Sequence, residues 1–597
     1  MVVWDRSSLN DEQIEAVSEP ESVFLVACPG SGKTRTLTYK VASELEKLDS
    51  HRKFVAAITY THRAADEIEE RIAAMGVDTS QLWIGTIHSF CLEWILKPYG
   101  IYHPELEHGF RIMDSHDTET ALTELCAAQS RPSITYFDCD YYFTDSGIRF
   151  GCRDAAKLPN VRRVLQDHFE AMRAAGQIDF EHILKYAYEL IRDIPAISEV
   201  LSKVFTFIAV DEYQDTKQIQ YSILGSIIKA AGGSCRTLIV GDPNQAIFTS
   251  LGGYAISLKD FRSIVGIPVK PLALSRNYRS SERIIEYFGR FNVHGTTIVS
   301  ASDEATYPSQ VTFDDQTTRK NLEIEIARLI RYNVQDLGIA PDEICVVAPW
   351  WVHLAHLTRN LVALMPEFEF DGPGLVPFSR DIDNFWFKLA KLALTEASPR
   401  MFVRRLRWAG DILNDLDMAG IDTSRITRRS LLRESNSIDP PENEGLDYLR
   451  SYYRTLFARL DIDYSQYKTL QDHYNAFFAS SQARISRLVA EGAPYVTDVA
   501  MFRRVFRPRS GITVSTIHGI KGAEFDTVIA FALLDGMVPH FSDHDQLDGA
   551  KKLMYVIGSR ARKNLHLIAE RGRTKKGNWP DYDTSVPLKA LKFAYDR

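Results

Sequence analysis

An α/β protein of two parallel-sheet lobes, each interrupted by a mainly helical insertion, is the fold class this sequence predicts, on three observations. Short apolar runs that read as buried strands recur along the chain and alternate with helical text, as a doubly wound lobe requires. One such run, Val23-Phe24-Leu25-Val26, leads into Ala27-Cys28-Pro29-Gly30-Ser31-Gly32-Lys33-Thr34, a glycine-rich loop whose last residues open a helix. Another, Phe207-Ile208-Ala209-Val210, ends on Asp211-Glu212-Tyr213-Gln214-Asp215.

Taken in order, strand-like runs at 54–59 and 82–86 flank helical text from Ala64 to Ile72. From Cys91 to Phe205 the pattern changes to charged, amphipathic helices, with Arg162 to Ala175 an example, and strand text resumes at Phe207. Further strands are expected at 237–240, 344–348, 512–516, 527–531 and 565–569. Helix-rich text runs from Phe378 to Arg504 and contains the proline-broken linker Ser437 to Asn443. The expected domains are 1–90 with 206–275 for the first lobe and 91–205 for its insertion. The second lobe takes 276–377 with 505–597, and its reduced insertion 378–504.

The 597 residues, 45% hydrophobic and 25% charged, suit a folded protein of about four domains rather than a disordered chain. A net charge of -8 offers no overall cationic field, so any nucleic-acid contact must come from a local groove. Seven scattered cysteines without a Cys-x-x-Cys pair favour a reducing compartment and argue against a zinc ribbon. With no secretory signal and no apolar stretch long enough to span a bilayer, the expectation is a cytoplasmic protein without membrane contact. The basic runs 404–407, 428–429 and 502–509 read as solvated helix faces ahead of nucleic-acid contacts, and 371–374 as a turn.

The loop and the acid pair carry complementary chemistry. Gly30 and Gly32 let backbone N–H groups turn toward phosphate oxygens, Lys33 adds a point charge, and the Thr34 hydroxyl and Asp211 carboxylate suit Mg2+. Glu212 stands where a residue could orient or deprotonate an attacking water. Together they describe a nucleotide triphosphatase.

From Leu9 to Arg562 the chain resembles superfamily 1 DNA helicases of the UvrD/Rep/PcrA type, through at least seven motifs in order. The resemblance implies two RecA-like P-loop motor lobes, ATP and Mg2+ as ligands, and movement on single-stranded DNA or at single-strand/duplex junctions, 3′ to 5′. Leu9-Asn10-Asp11-Glu12-Gln13 is similar to the adenine-reading segment, which gives that role to Gln13; the nucleotide site takes Ala27 through Arg35, that is Ala27, Cys28, Pro29, Gly30, Ser31, Gly32, Lys33, Thr34 and Arg35. Motifs around 58–65 and 85–91 imply DNA contacts at Tyr60, Thr61, Arg63, Thr86 and His88. In 241–248, Gln245 would sense the terminal phosphate and Phe248 would face DNA. Asn277-Tyr278-Arg279-Ser280 implies that Tyr278 stacks on adenine and Arg279 reaches the terminal phosphate. The stretch 516–526 implies DNA contacts at Thr516 and His518 and a ribose contact at Glu524, and 555–561 supplies Arg560 as a second arginine finger.

Some positions depart from the family pattern. Ser250 and Leu251 stand where a Trp-Arg pair that holds DNA is usual, Gly549-Ala550-Lys551-Lys552 replaces acidic residues before the last motif, and the second insertion is short. An ATP-switched sensor or regulatory subunit that controls a partner nuclease is therefore the competing expectation. Compact helicases of this type resemble components of anti-phage systems in which they accompany an OLD-family nuclease, as in Gabija-like pairs.

Overall fold

The first lobe is organised by a six-stranded, wholly parallel sheet in the order Val269–Leu274, Ser22–Ala27, Arg236–Gly241, Phe205–Val210, Phe54–Thr59, Leu82–Thr86. This computed structural model describes residues 8–596 except 114, 250–251, 352–353, 374, 379–383, 491–493, 508–509, 541–542, 544 and 576–579. Side chains alternate across the sheet: Val23, Leu25, Phe207 and Ala209 enter one core, while Phe24, Ile208 and Val210 enter the other. Both faces are covered, which is why these strands are continuously apolar instead of alternating with polar residues.

A second six-stranded parallel sheet runs Val311–Asp314, Ala561–Ile568, Phe525–Ala530, Ile344–Ala348, Ile512–Thr516, Phe370–Asp371. Of the turn expected at 371–374, Asp371 instead ends this last strand, paired with Thr513, with its carboxylate bonded by Arg504 at 3.1 Å; Pro373 lies in a turn and Gly374 is outside the described residues. The segment 378–506 builds its own aromatic core around fully buried Trp386, with Tyr453, Phe457, Phe478 and Phe502. The Trp386 indole N–H donates to the Leu470 carbonyl at 2.8 Å, so burying this large ring leaves no polar atom unsatisfied.

The segment between the strands ending at Thr86 and beginning at Phe205 is mostly helical, but it also contains an antiparallel hairpin, Tyr141–Thr144 with Gly147–Phe150. Four-residue aromatic strands are too short to stand out from helical text. The hairpin is tied down by Tyr141 to Asp179 and by the Phe143 N–H, which donates to Glu181 at 3.2 Å, and the Tyr142 ring lies against Gly252, where an added Cβ would come within 2.9 Å. Gly252 also has φ +91°, so two constraints demand glycine there.

Two of the three basic runs correct the expectation of solvated faces, while Arg428 and Arg429 are exposed on helix Arg428–Asn436 as expected. Arg404 makes paired bonds to Glu70 at 2.9 and 3.1 Å, and Arg407 reaches Asp66 at 3.0 Å and the Ile84 carbonyl at 3.2 Å. Arg405 is buried against the carbonyls of Leu392 and Thr395. Arg404 and Arg407 therefore fasten the second insertion to helix His62–Ala74 of the first lobe. In the run 502–509, Phe502 is core, Arg503 lies over Tyr448 and Arg504 pairs with Glu369 and Asp371; Pro508 and Arg509 lie outside the described residues. Among the described residues, no helix is long and apolar enough to cross a membrane.

Candidate nucleotide and nucleic-acid cleft

Strand Ser22–Ala27 delivers the glycine-rich loop to the start of helix Lys33–Leu45, so a loop of backbone N–H groups and a helix N-terminus converge on one point. Gly30 and Gly32 have φ +69° and +79°. A Cβ at Gly30 would lie 2.6 Å from Arg279 Cβ, and one at Gly32 would lie 2.6 Å from the Gln13 amide nitrogen. Glycine is thus required both by conformation and by the closeness of two other motifs. The Ser31 hydroxyl donates to the Cys28 carbonyl at 2.7 Å, and Gln13 Nε2 donates to the Ser31 carbonyl at 2.9 Å. Burial pushes the Cys28 thiol up to about 12, so it is a packing group and not a nucleophile. Pro29 accepts from Asn277 Nδ2 at 2.8 Å through its carbonyl. Ala27 is buried, while Lys33 and Thr34 are partly exposed and Arg35 is exposed.

Asp211 and Glu212 follow strand Phe205–Val210. Burial raises the Asp211 pKa, and adjacent Glu212 raises it further. Burial opposes ionisation of Glu212 too, but Lys33 and Lys521 outweigh it and hold that carboxylate low. Lys33 Nζ stands 3.5 Å from Glu212, whose other oxygen accepts from Gln214. Glu212 also adopts φ +51°, a conformation that costs a non-glycine residue on the order of 1–3 kcal/mol and is concentrated at functional sites. Asp211 is buried and Glu212 partly exposed, and oxygen donors at Asp211 and Thr34 are the kind that a hard cation such as Mg2+ takes.

The second lobe closes over this wall. Arg560, 2% exposed, donates from Nη2 to Gln245 Oε1 at 2.7 Å, and Gln245 Nε2 donates to Asp242 at 2.8 Å. Burial and neighbouring Arg279 pull Arg560 down to about 9, which still leaves it charged at neutral pH. Arg279 donates to Glu524 at 2.6 Å and to the Ser559 carbonyl at 2.9 Å. Glu524 is thereby engaged by arginine, and Arg562 pairs with it as well at 3.4 Å. Tyr278 is 43% exposed beside the loop, its hydroxyl accepting from Asn10 Nδ2 at 2.7 Å and its backbone N–H donating to Gly30 at 3.0 Å.

Sequence reasoning gave no role to Lys521, although it lies within a quoted motif. Its ammonium bonds the Asp215 carboxylate and, at 2.7 Å, the Gln245 carbonyl, and it lies over the Phe248 ring at 5.2 Å. It touches the acidic motif, the phosphate-sensing candidate and the aromatic wall at once. The only prior signal was its place in 516–526, since its partner is 306 positions away in the chain.

Six of the expected DNA-facing residues fall into two groups. Thr61, Thr86 and Thr516 act as hydroxyl caps, accepting from Ala64 at 3.2 Å, Ser89 at 3.3 Å and Gly519 at 3.0 Å. They hold turns whose N–H groups suit phosphate contact. Tyr60 and Phe248 lie 5.2 Å apart, Phe248 and His518 are again 5.2 Å apart, and His518 is bonded to the Ile247 carbonyl at 3.3 Å. His88 sits elsewhere, its ring edge-on to Phe180 at 5.6 Å. The Arg63 side chain and residues Ser250 and Leu251 lie outside the described residues.

Comparison with known proteins meets the same segments. The UvrD/REP helicase N-terminal domain matches residues 9–262 and the UvrD-like helicase C-terminal domain matches 502–572. DNA helicase II of Escherichia coli (strain K12) is 32% identical over 292 residues, covering 47% of this chain and 39% of that protein. ATP-dependent DNA helicase PcrA of Leuconostoc citreum is 24% identical over 657 residues, covering 99% of this chain and 86% of that protein. PcrA of Staphylococcus epidermidis is 22% identical over 98% of this chain and 86% of its own length.

Proposed function

We propose, from the premise that the chain belongs to the UvrD/Rep/PcrA-like superfamily 1 DNA helicases, that it hydrolyses ATP between its lobes and uses the cycle to move 3′ to 5′ on single-stranded DNA. The observation that carries this reading is the convergence of Arg560 and Arg279 from the second lobe on the phosphate loop and Gln245 of the first. Arginine suits that position because its permanently charged fork can neutralise charge spreading over a transferring phosphoryl group.

In this mechanism Gln13 and Tyr278 flank the adenine, the loop from Ala27 to Arg35 cradles the phosphates, and Lys33 exchanges Glu212 for a phosphate oxygen. Glu212, ionised by Lys33 and Lys521, then accepts a proton from the attacking water. Thr34 and Asp211 would hold magnesium, which supplies positive charge to the phosphates when bound. Arg279 leaves Glu524 and Arg560 shifts from Gln245 onto the terminal phosphate, so hydrolysis follows closure and release reopens the cleft. The strand lies along Tyr60, Phe248 and the capped turns, and reaches duplex at a junction. Seven cysteines that form no disulfide, six of them buried, fit a reducing compartment such as the cytoplasm.

Steady-state ATP hydrolysis with and without single-stranded DNA tests the reading, with Glu212→Gln as the control for contaminating activity. Strong stimulation that the variant loses is the expected result; no hydrolysis by the wild type in either condition would remove the motor reading. Release of streptavidin from 3′- or 5′-biotinylated strands reads polarity. The competing reading, an ATP switch that controls a partner nuclease, uses the same cleft but predicts no strand displacement.

A further inference from the structure

Helix Ser115–Ala127 and the turn Tyr136–Cys139 bring two thiols into one small core of the first insertion. Cys126 and Cys139 are both buried, and their sulfur atoms lie 3.6 Å apart. A disulfide holds its sulfurs at about 2.05 Å, so a side-chain movement of about 1.5 Å would join them. A third thiol reaches the same core from the hairpin. Tyr141 pairs with Phe150 there, and one step below them the Gly151 N–H donates to the Asp140 carbonyl at 2.7 Å. A Cβ added to Gly151 would come 2.9 Å from Asp140 Cβ, so the two chains stay close together beyond the paired strands. The same register makes Cys139 and Cys152 the next opposed positions. Residues two apart along a strand share a face, and Cys139, Tyr141, Phe150 and Cys152 all pack on this one core. Directly opposed residues place their Cβ atoms about 4.5–5.5 Å apart, which puts Cys139 beside both of the other thiols.

Exposure separates the three chemically. Burial raises the pKa of Cys126 and of Cys139, which holds both as thiols and shields them from a dissolved oxidant, whereas Cys152 is partly exposed. We propose that Cys152, Cys139 and Cys126 form an oxidation relay that a hydroperoxide drives to a Cys126–Cys139 disulfide. Cys152 sulfur attacks the peroxide: an S–O bond forms, the O–O bond breaks, and the departing hydroxide leaves as water with the thiol proton. Cys139 sulfur then attacks the resulting sulfenic acid, forming an S–S bond and releasing the second water with its own proton. Cys126 attacks Cys139, the Cys139–Cys152 bond breaks, and Cys152 takes up the Cys126 proton to become a thiol again. The peroxide has gained the two electrons that Cys126 and Cys139 have lost. The bond ties helix Ser115–Ala127 to the base of the hairpin whose Tyr142 ring rests on Gly252. In a reducing compartment the dithiol is the resting form and the disulfide a transient one. The relay is independent of the motor reading.

The test treats the reduced full-length chain with hydrogen peroxide at neutral pH, alkylates it after unfolding, and maps the peptides by mass spectrometry. Two of the seven thiols should be lost, with Cys126 joined to Cys139, and dithiothreitol should restore both. Cys152→Ser should lose most of the rate of disulfide formation. Cys126→Ala stops the relay one step early, so a Cys139–Cys152 bond should accumulate instead. Thermal melts identify misfolding, and the wild-type map with the Cys152→Ser rate decides the matter if the buried variant does not fold. Cys126 and Cys139 remaining alkylatable while Cys152 advances to sulfinic acid overturns the site. An undiminished rate in Cys152→Ser overturns the relay.

Discussion

The two walls of the cleft are held in different ways. On the first-lobe side, Lys33 and Glu212 already face each other, and the loop is pinned by Gln13 of the same lobe as well as by Asn277 from across the cleft. On the second-lobe side, Arg279 and Arg560 are bound to protein groups, Glu524 and Gln245, which in the proposed cycle they exchange for phosphate. One wall is preorganised and the other is parked. In the proposed cycle this would make hydrolysis conditional on lobe geometry without altering the acid pair, because the two arginines sit on the second lobe.

The sharpest way to break this contrast is Arg560→Ala. It should lower the ATP turnover rate by about 10³–10⁵ with ATP affinity changed far less, and Arg560→Lys should not restore the rate because an ammonium lacks the planar fork. Equal losses in affinity and melting temperature would make Arg560 a structural residue instead. On the preorganised wall, Glu212→Gln should cost about 10²–10⁴ in turnover, measured at saturating ATP, and should still bind nucleotide.

Acid should weaken the second lobe through His566. It is fully buried, accepting or sharing bonds with Thr312 and Asn333, and burial pulls its pKa from 6.5 to about 4. Between those values the unfolded chain binds more protons than the folded one, so stability falls as pH drops through this window, by about 3 kcal/mol at most. Melting temperatures of wild type and His566→Gln from pH 7 to pH 4 should show a shallower acid slope in the variant. The smallest effect belongs to the interlobe ion pairs: Arg404→Ala should cost about 0–1 kcal/mol, because this pair with Glu70 is partly exposed. The same change should matter more for the relation between the insertion and the first lobe, read as altered protease sensitivity with stability nearly constant.

What was legible in the sequence was local. A buried parallel strand announces itself by continuous apolar residues, and the strand Ser22–Ala27 with its glycine loop and helix occupies one unbroken stretch. Asp211 and Glu212 are neighbours, so their strand context could be read directly. The hairpin at 141–150 was not legible as strands, because four-residue aromatic runs fit either class until a partner is known. The basic run 404–407 was misread for a related reason: composition reports charge but not what faces it, and Glu70 is 334 residues away from Arg404.

The sequence by itself determined the α/β class, the two sets of parallel strands and the chemical types gathered at the phosphate loop, since these follow from hydrophobic period and from adjacent residues. Only the tertiary structure decided that Lys521 bridges Asp215 and Gln245, that Arg404 and Arg407 fasten the second insertion, and that the Trp350 and His540 rings meet. Those contacts join segments about 190 to 340 residues apart. Their existence depends on how two sheets and their insertions pack, a property of the whole chain that no local pattern encodes.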